Sequence, residues 1–193
     1  YWFKIAKALS LIGIPITVIF FCAPEEIVGI MYGDQWGSAV PLLQLLSICI
    51  YFQMVNSVSG AFFLSAGKAD LLFRSVCMST ILTVCGLVIG IAFGSLEAVA
   101  LCLSVAFCLH VIPSAYYLLK RTLHEGYRCV VKFLPEIGIG LIAGAACLLL
   151  TPFMPDNIIL SLLCKMLVVL GVIALGYLAT RQYGYIKAIL RKG

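Results

Sequence analysis

A chain of 193 residues that is 63% hydrophobic, 11% charged and of mean hydropathy +1.14 cannot be a soluble domain. Soluble domains carry about 25% charged and under about 50% apolar residues. An integral membrane protein with a net charge of +5 remains.

Lipid satisfies no open backbone, so continuous apolar runs cross it as helices of about 20 residues. Six segments qualify, at approximately 5–23, 39–64, 73–94, 98–119, 133–151 and 157–180. A β-barrel is excluded, because its strands would alternate apolar and polar residues. The expected fold class is all-α, with six transmembrane helices. No charged leader with a cleavage site precedes the first run, which begins just after Tyr1, so the chain reads as a piece of a longer protein.

Between spans one and two, residues 25–38 carry Glu25, Glu26 and Asp34 but no Lys or Arg. Ile27, Val28, Ile30, Met31 and Trp36 there predict a short helix lying in the interface. Span two places Gln53, Asn56, Ser57 and Gly60 on one face; Gln44, Ser47 and Tyr51, nearer its start, lie about half a turn away. Such side chains either hydrogen-bond to neighbouring helices or line a polar cavity. Span three opens with Arg74 and carries a stripe of Ser75, Ser79, Thr83, Gly86 and Gly90. Arg74 either snorkels to the headgroups or meets an anionic substrate.

In span four, His110 heads a stripe with Ser114, Tyr117 and Arg121, beside a kink expected at Pro113. An ordinary imidazole pKa of about 6.5 suits either a packing histidine or a proton carrier. Span five carries Glu136 with Gly140 and Gly144 on the same face, a pattern for close packing inside the bundle. Span six holds Lys165 roughly 10 Å inside its end. A cation at such depth costs about 2.5–3.5 kcal/mol, so it faces water, a bundle interior or, by snorkelling, the surface. The tail 181–193 sets Tyr183, Ile186 and Leu190 at helical spacing among basic residues, either as a helix drawn to anionic headgroups or as positive-inside anchoring with no specific partner.

Six crossings sort the charges. Lys4, Lys7, Lys68, Arg74, Lys120, Arg121, Arg128, Lys132, Arg181, Lys187, Arg191 and Lys192 fall on one side, leaving Lys165 alone of the thirteen basic residues. The other side holds Glu25, Glu26, Asp34, Glu97 and Asp156. The positive-inside rule makes the basic side cytoplasmic and puts both ends of the chain there.

No catalytic or metal site is visible. The nine cysteines form no CxxC pair and only two histidines accompany them. Eight of them (Cys22, Cys49, Cys77, Cys85, Cys102, Cys108, Cys147, Cys164) sit in or beside apolar runs as packing residues. Asp70, Glu125 and Glu136, the acids on the basic side, are too scattered to hold metal-bound pyrophosphate, and no glycine-rich phosphate loop is present. Neither a cofactor nor a nucleic-acid partner is expected, and the chain does not read as an enzyme.

The stretch "APEEIVGIMYGDQWGSAVPLLQLLSI" followed by "NSVSGAFFLSAGKADL" resembles the C-terminal half of Wzx-type oligosaccharide flippases, in the multidrug/oligosaccharidyl-lipid/polysaccharide exporter superfamily. The marks are Pro24 after span one, Tyr32–Gly33, Trp36, the "AVPLLQLL" lead into span two and the "LSAGKADL" turn; spans five and six match only in hydropathy and spacing. The resemblance implies one lobe of a two-lobed exporter, helices seven to twelve, with the partner lobe upstream in the same chain. It implies transfer of a polyprenyl-pyrophosphate-linked oligosaccharide between leaflets of the bacterial cytoplasmic membrane by alternating access. A cavity for that substrate must be polar and cationic. Lys165, Arg74 and His110 are the candidates for the anion, Gln53, Asn56 and Ser57 for sugar hydroxyls, and Glu136 or His110 for ion coupling. The rival readings are a lobe of a cation-coupled small-molecule antiporter and a non-transporting membrane scaffold.

A cysteine placed at Asp34 should react with a membrane-impermeant thiol reagent in intact cells; reaction only after permeabilisation would reverse the orientation.

Overall fold

The structure, a computed structural model, describes residues 2–118, 133–153, 155 and 157–179. The loop at 120–132 and the basic tail at 181–193 lie outside the described residues. Within them the chain is all-helical: α1 (Trp2–Cys22), α2 (Pro24–Tyr32), α3 (Val40–Ser47), α4 (Ile50–Ser65), α5 (Ala69–Ala92), α6 (Leu96–Tyr116), α7 (Leu134–Leu150) and α8 (Ile158–Ala179), with a 3-10 segment at Asp34–Ala39 leading into α3. α1, α5, α6 and α8 are each long and apolar enough to cross a membrane alone. Gln35–Ser47 and Ile50–Ser65 add a fifth crossing if the bent pair acts as one, while α7, at 17 residues, is apolar but shorter.

Contacts fix the relative directions. Tyr51, at the start of α4, meets Ser10 of α1, and Phe63, near its end, packs with Trp2 and Ala6, so these helices run antiparallel. α5 and α6 form an antiparallel hairpin turned at Gly94, whose φ of 73° suits a residue without Cβ. Ser104 and Ser114 of α6 reach Leu45 and Asn56 in order, so α6 runs alongside α3 and α4 in the same direction. Gly140 and Gly144 of α7 face Ile14 and Val18 of α1 in parallel. The Tyr177 hydroxyl at the far end of α8 donates to the Leu11 carbonyl of α1 (3.3 Å), while the first turn of α8 lies beside α2. Successive passes therefore alternate in direction, as the sorted charges require.

Span two departs from the continuous helix expected over 39–64. It breaks at Ile48–Cys49, where its halves meet at 53°. No proline or glycine lies at the break. Side chains occupy the carbonyls there instead: Ser47 donates to Gln44 (2.7 Å), Cys49 to Leu46 (2.9 Å), and Ser104 of α6 to Leu45 (2.7 Å). Gln44 extends to the Phe21 carbonyl of α1 (3.2 Å). Polar side chains inserted into the carbonyl ladder are a recognised cause of helix bending. Pro113 lies inside α6, which continues past it to Tyr116 and then widens into a π-type turn at Tyr117–Leu118.

The small-residue stripes seat helices. A Cβ at Gly90 would stand 2.6 Å from the Val99 Cα across the α5–α6 hairpin, whereas one at Gly138 of α7 would meet open space. Gly90→Ala should therefore lose about 1–3 kcal/mol by overpacking, and Gly138→Ala should hold or gain up to about 1 kcal/mol from helix propensity, both read by thermal unfolding in detergent.

Candidate functional site

The buried face of α8 recurs every fourth residue, at Ser161, Lys165, Val169, Ile173 and Tyr177. Helical spacing stacks these side chains on one stripe, so Lys165 points into the bundle, 5% exposed. Its partner comes from α2. Pro24, at the first turn of α2, starts that helix directly after α1 ends, and Glu26 and Val28 are buried. The Lys165 ammonium lies 2.5 Å from Glu26 Oε1, and the Ser161 hydroxyl donates to the same oxygen at 2.7 Å. Burial alone would raise the Glu26 carboxyl; the Lys165 ammonium and the Ser161 hydroxyl overcome that and hold it below the ordinary carboxylate range.

The short helix expected over 25–38 is α2, with Glu25 exposed and Glu26 buried. Lys165 is sealed by a carboxylate of its own chain.

A second pair closes the opposite end. Lys7, counted with the flanking basic residues in the sequence, lies within α1 and is 3% exposed. It pairs with Glu136, which is fully buried in the first turn of α7. Ser10 donates to the other oxygen of Glu136, and Tyr51 of α4 shares a 2.9 Å hydrogen bond with Ser10. The Lys7 ammonium also stands 5.5 Å from the centre of the Phe133 ring, within reach of a cation–π attraction. One ion pair and two hydrogen bonds thus join α1, α4 and α7. Glu136 is sequestered rather than open at a helix mouth.

The remaining candidates are dispersed. Asn56 accepts a 2.5 Å hydrogen bond from Ser114, tying α4 to α6. Gln53 donates to Cys49 Sγ (3.4 Å) and Ser57 to the Met54 carbonyl (2.7 Å), both within α4 and its preceding turn. Gln53, Ser57 and Arg74 are exposed, and His110 is half-buried. None of these three hydrogen bonds brings Gln53, Asn56 or Ser57 to Lys165.

Glu26 and Lys7 are the participants that sequence reasoning missed. For Lys7 a signal existed: it is the sixth residue of α1 and Glu136 the third of α7, two helices entering from the same side, so they share a level. For Glu26 the signal was weaker, since Lys165 was the one cation on an acidic side and needed a partner.

Three curated proteins are similar to this chain. The lipopolysaccharide biosynthesis protein WzxC of Escherichia coli (strain K12) is 23% identical over 66% of this chain and 26% of its own length. The teichuronic acid biosynthesis protein TuaB of Bacillus subtilis (strain 168) is 24% identical over 72% and 30%. An uncharacterized membrane protein in the cps region of Klebsiella pneumoniae is 23% identical over 69% and 27%. The chain spans under a third of the length of these relatives. No protein-family model and no solved structure matches it.

Removing one member of a buried pair strands the other charge, at about 3–5 kcal/mol, whereas replacing both by apolar residues is close to neutral. Lys7→Met or Glu136→Leu alone should therefore lower thermal stability strongly, and the double variant should recover most of it. The depressed Glu26 carboxyl sets a pH limit of definite sign. Its stabilisation is complete above the ordinary value of about 4.3 and is lost as pH falls through its lower folded value. Stability measured from pH 6 downward should fall below about pH 4, and Glu26→Gln should lack the Glu26 share of that acid limb.

Proposed function

We propose that this chain is the C-terminal lobe, helices seven to twelve, of a Wzx-type exporter. It moves polyprenyl-pyrophosphate-linked oligosaccharide across the bacterial cytoplasmic membrane by rocking against an upstream lobe. The observation that carries the reading is the shared similarity to proteins named for lipopolysaccharide and teichuronic acid biosynthesis. The part of those relatives that this chain does not span leaves ample length for a second lobe. Six crossings follow if α7, near the lower limit of about 17 residues, is counted with the other five. Both ends of the segment then face the cytoplasm, and membrane lipid covers the apolar outer faces, as at Phe73, Ile81 and Leu167, each more than 60% exposed.

A pyrophosphate and a sugar chain cannot pass through hydrocarbon, so the two lobes must enclose a polar path between them. In this reading the exposed Gln53, Ser57 and Arg74 turn toward that path, the first two for hydroxyls and the third for phosphate. Asn56 and His110 stand behind them. Lys165 meets the anion only in a state where Glu26 has released it. Glu136, closed by Lys7, changes its proton or ion occupancy only when that pair opens. A small-molecule antiporter lobe would need a free membrane-embedded acid; among the described residues both buried acids are taken by lysines. No step of this work makes or breaks a covalent bond, so the protein is a transporter and not an enzyme.

Deleting the gene in its own host should abolish surface polysaccharide while polyprenyl-pyrophosphate-linked oligosaccharide accumulates on the cytoplasmic side. Unchanged surface polysaccharide would overturn the proposal. Loss of the lipid-linked oligosaccharide itself would assign the protein to assembly instead.

A further inference from the structure

A straight helix through span two would need the Leu45 carbonyl for the Cys49 N–H, which lies one turn further on. The Ser104 hydroxyl of α6 occupies that carbonyl at 2.7 Å, and the Cys49 N–H turns to the Leu46 carbonyl instead, at 3.3 Å. Bent and straight forms therefore compete for one acceptor. Little in the backbone opposes the exchange. Ile48 and Cys49 keep right-handed helical dihedrals (φ −57°, ψ −35° and φ −85°, ψ −11°), and a change of about 30° in the Cys49 ψ reaches the regular helical value. The 53° bend is thus held by side chains, one of which belongs to another helix.

The half of span two beyond the bend is tied to the acidic end of the lobe. Gln44 of α3 donates to the Phe21 carbonyl (3.2 Å), in the last turn of α1 just before Pro24 opens α2. α2 packs against α3 and the 3-10 segment, and its Glu26 holds Lys165 and Ser161 of α8. Contacts therefore run without a gap from Ser104 of α6, through α3 and α2, to Lys165 of α8. Gln35–Ser47 is an arm of roughly 20 Å, so a rotation of about 15° at Ile48–Cys49 carries its far end through about 5 Å. That exceeds the reach of an ion pair, about 4 Å.

We propose that Ile48–Cys49 is a hinge, latched by Ser104 and Gln44, whose swing draws α2 away and frees Lys165 from Glu26; the use of the freed lysine rests on the export reading. The two settings differ in the partner each polar group takes. In the latched setting Ser104 holds Leu45, and Glu26 holds Lys165. In the swung setting the Cys49 N–H takes the Leu45 carbonyl, and the Ser104 hydroxyl turns back to a carbonyl of its own helix, as helical serines do. Ser104 and Gln44 are positioning residues: their hydrogen bonds go to Leu45 and Phe21, and they act on Lys165 through α2. Coupling of this kind is reciprocal, so loosening the clasp must also loosen the hinge.

The test reads hinge and clasp separately in the purified full-length protein in nanodiscs. Nitroxides are joined by oxime chemistry to ketone-bearing residues placed at Gly37, where a Cβ would meet nothing within 4 Å, and at Glu97, exposed at the start of α6; the native cysteines stay in place. Double electron–electron resonance gives the distance between the labels, and hydrogen exchange with mass spectrometry follows α2. Ser104→Ala should add a second distance displaced by about 4 Å or more, and should speed amide exchange over residues 24–32 at least fivefold. Glu26→Gln should add the same second distance, which a purely local role for the clasp would not produce. Ser65→Ala, which removes only a bond within α4, should change neither signal. Should Ser104→Ala fail to fold, Gln44→Leu takes its place with the same two results expected. An unchanged distance in the latch variant, unaltered exchange in α2, or a silent Glu26→Gln would each overturn the proposal. Neither measurement involves glycan or transport. Their failure therefore leaves the deletion result standing, and a failed deletion experiment leaves a demonstrated hinge intact.

Discussion

A charge placed among apolar helices must find an opposite charge at its own depth, because neither lipid nor packed hydrocarbon can solvate it. Among the described residues the chain meets that demand twice, with Lys7 against Glu136 at one end of the α1–α7–α8 cluster and Lys165 against Glu26 at the other. Between the two pairs the shared core is apolar and small-grained: Ile14, Val18, Cys22, Ala143, Cys147 and Val169. An apolar seam of this kind tolerates sliding by a turn. The ion pairs do not, since a shift of one turn, about 5.4 Å, would strand both charges of each pair. Register in the cluster is therefore set electrostatically at its ends and filled sterically in between.

The same interactions explain why α2 folds back instead of extending from α1. An amphipathic helix in the interface has many orientations with similar burial. Ser161 and Lys165 select one of them by offering Glu26 a hydrogen bond and a charge within the bundle. That placement seals the start of α8.

Much of this was legible in sequence, because hydropathy over 20 residues and the leaflet preference of Lys and Arg act locally and add along the chain. The helix ends at Cys22, Ala92 and Leu150 fall within two residues of the expected positions. The pairing of Gly140 with Ile14 follows from its small-residue face. What was not legible depends on partners distant in sequence. The break at Ile48–Cys49 carries no proline or glycine; it depends on Ser104 and Gln44 reaching carbonyls that only the folded bundle brings near. The different polar faces at the start and end of span two, Gln44–Ser47 against Gln53–Asn56, were its trace in the sequence. Lys165 was recognisable as a cation at depth, but Glu26 lay in a short interfacial helix with nothing to mark it as buried, because its burial exists only once α2 has docked. Lys7 showed the converse. Near a helix start a lysine looks like a leaflet marker, and only its neighbours Glu136 and Phe133 make it structural.

Charge exchange across the Lys165–Glu26 pair tests the clasp most directly. Lys165→Glu and Glu26→Lys each place two like charges in a buried site and should each lower the thermal midpoint in detergent by roughly 6 °C or more. The exchanged double variant restores an opposite pair at the same depth and should recover most of that loss. A double variant no more stable than the sum of its two singles would show that the pair does not hold α2 to α8, and the account of the lobe built on it would fail.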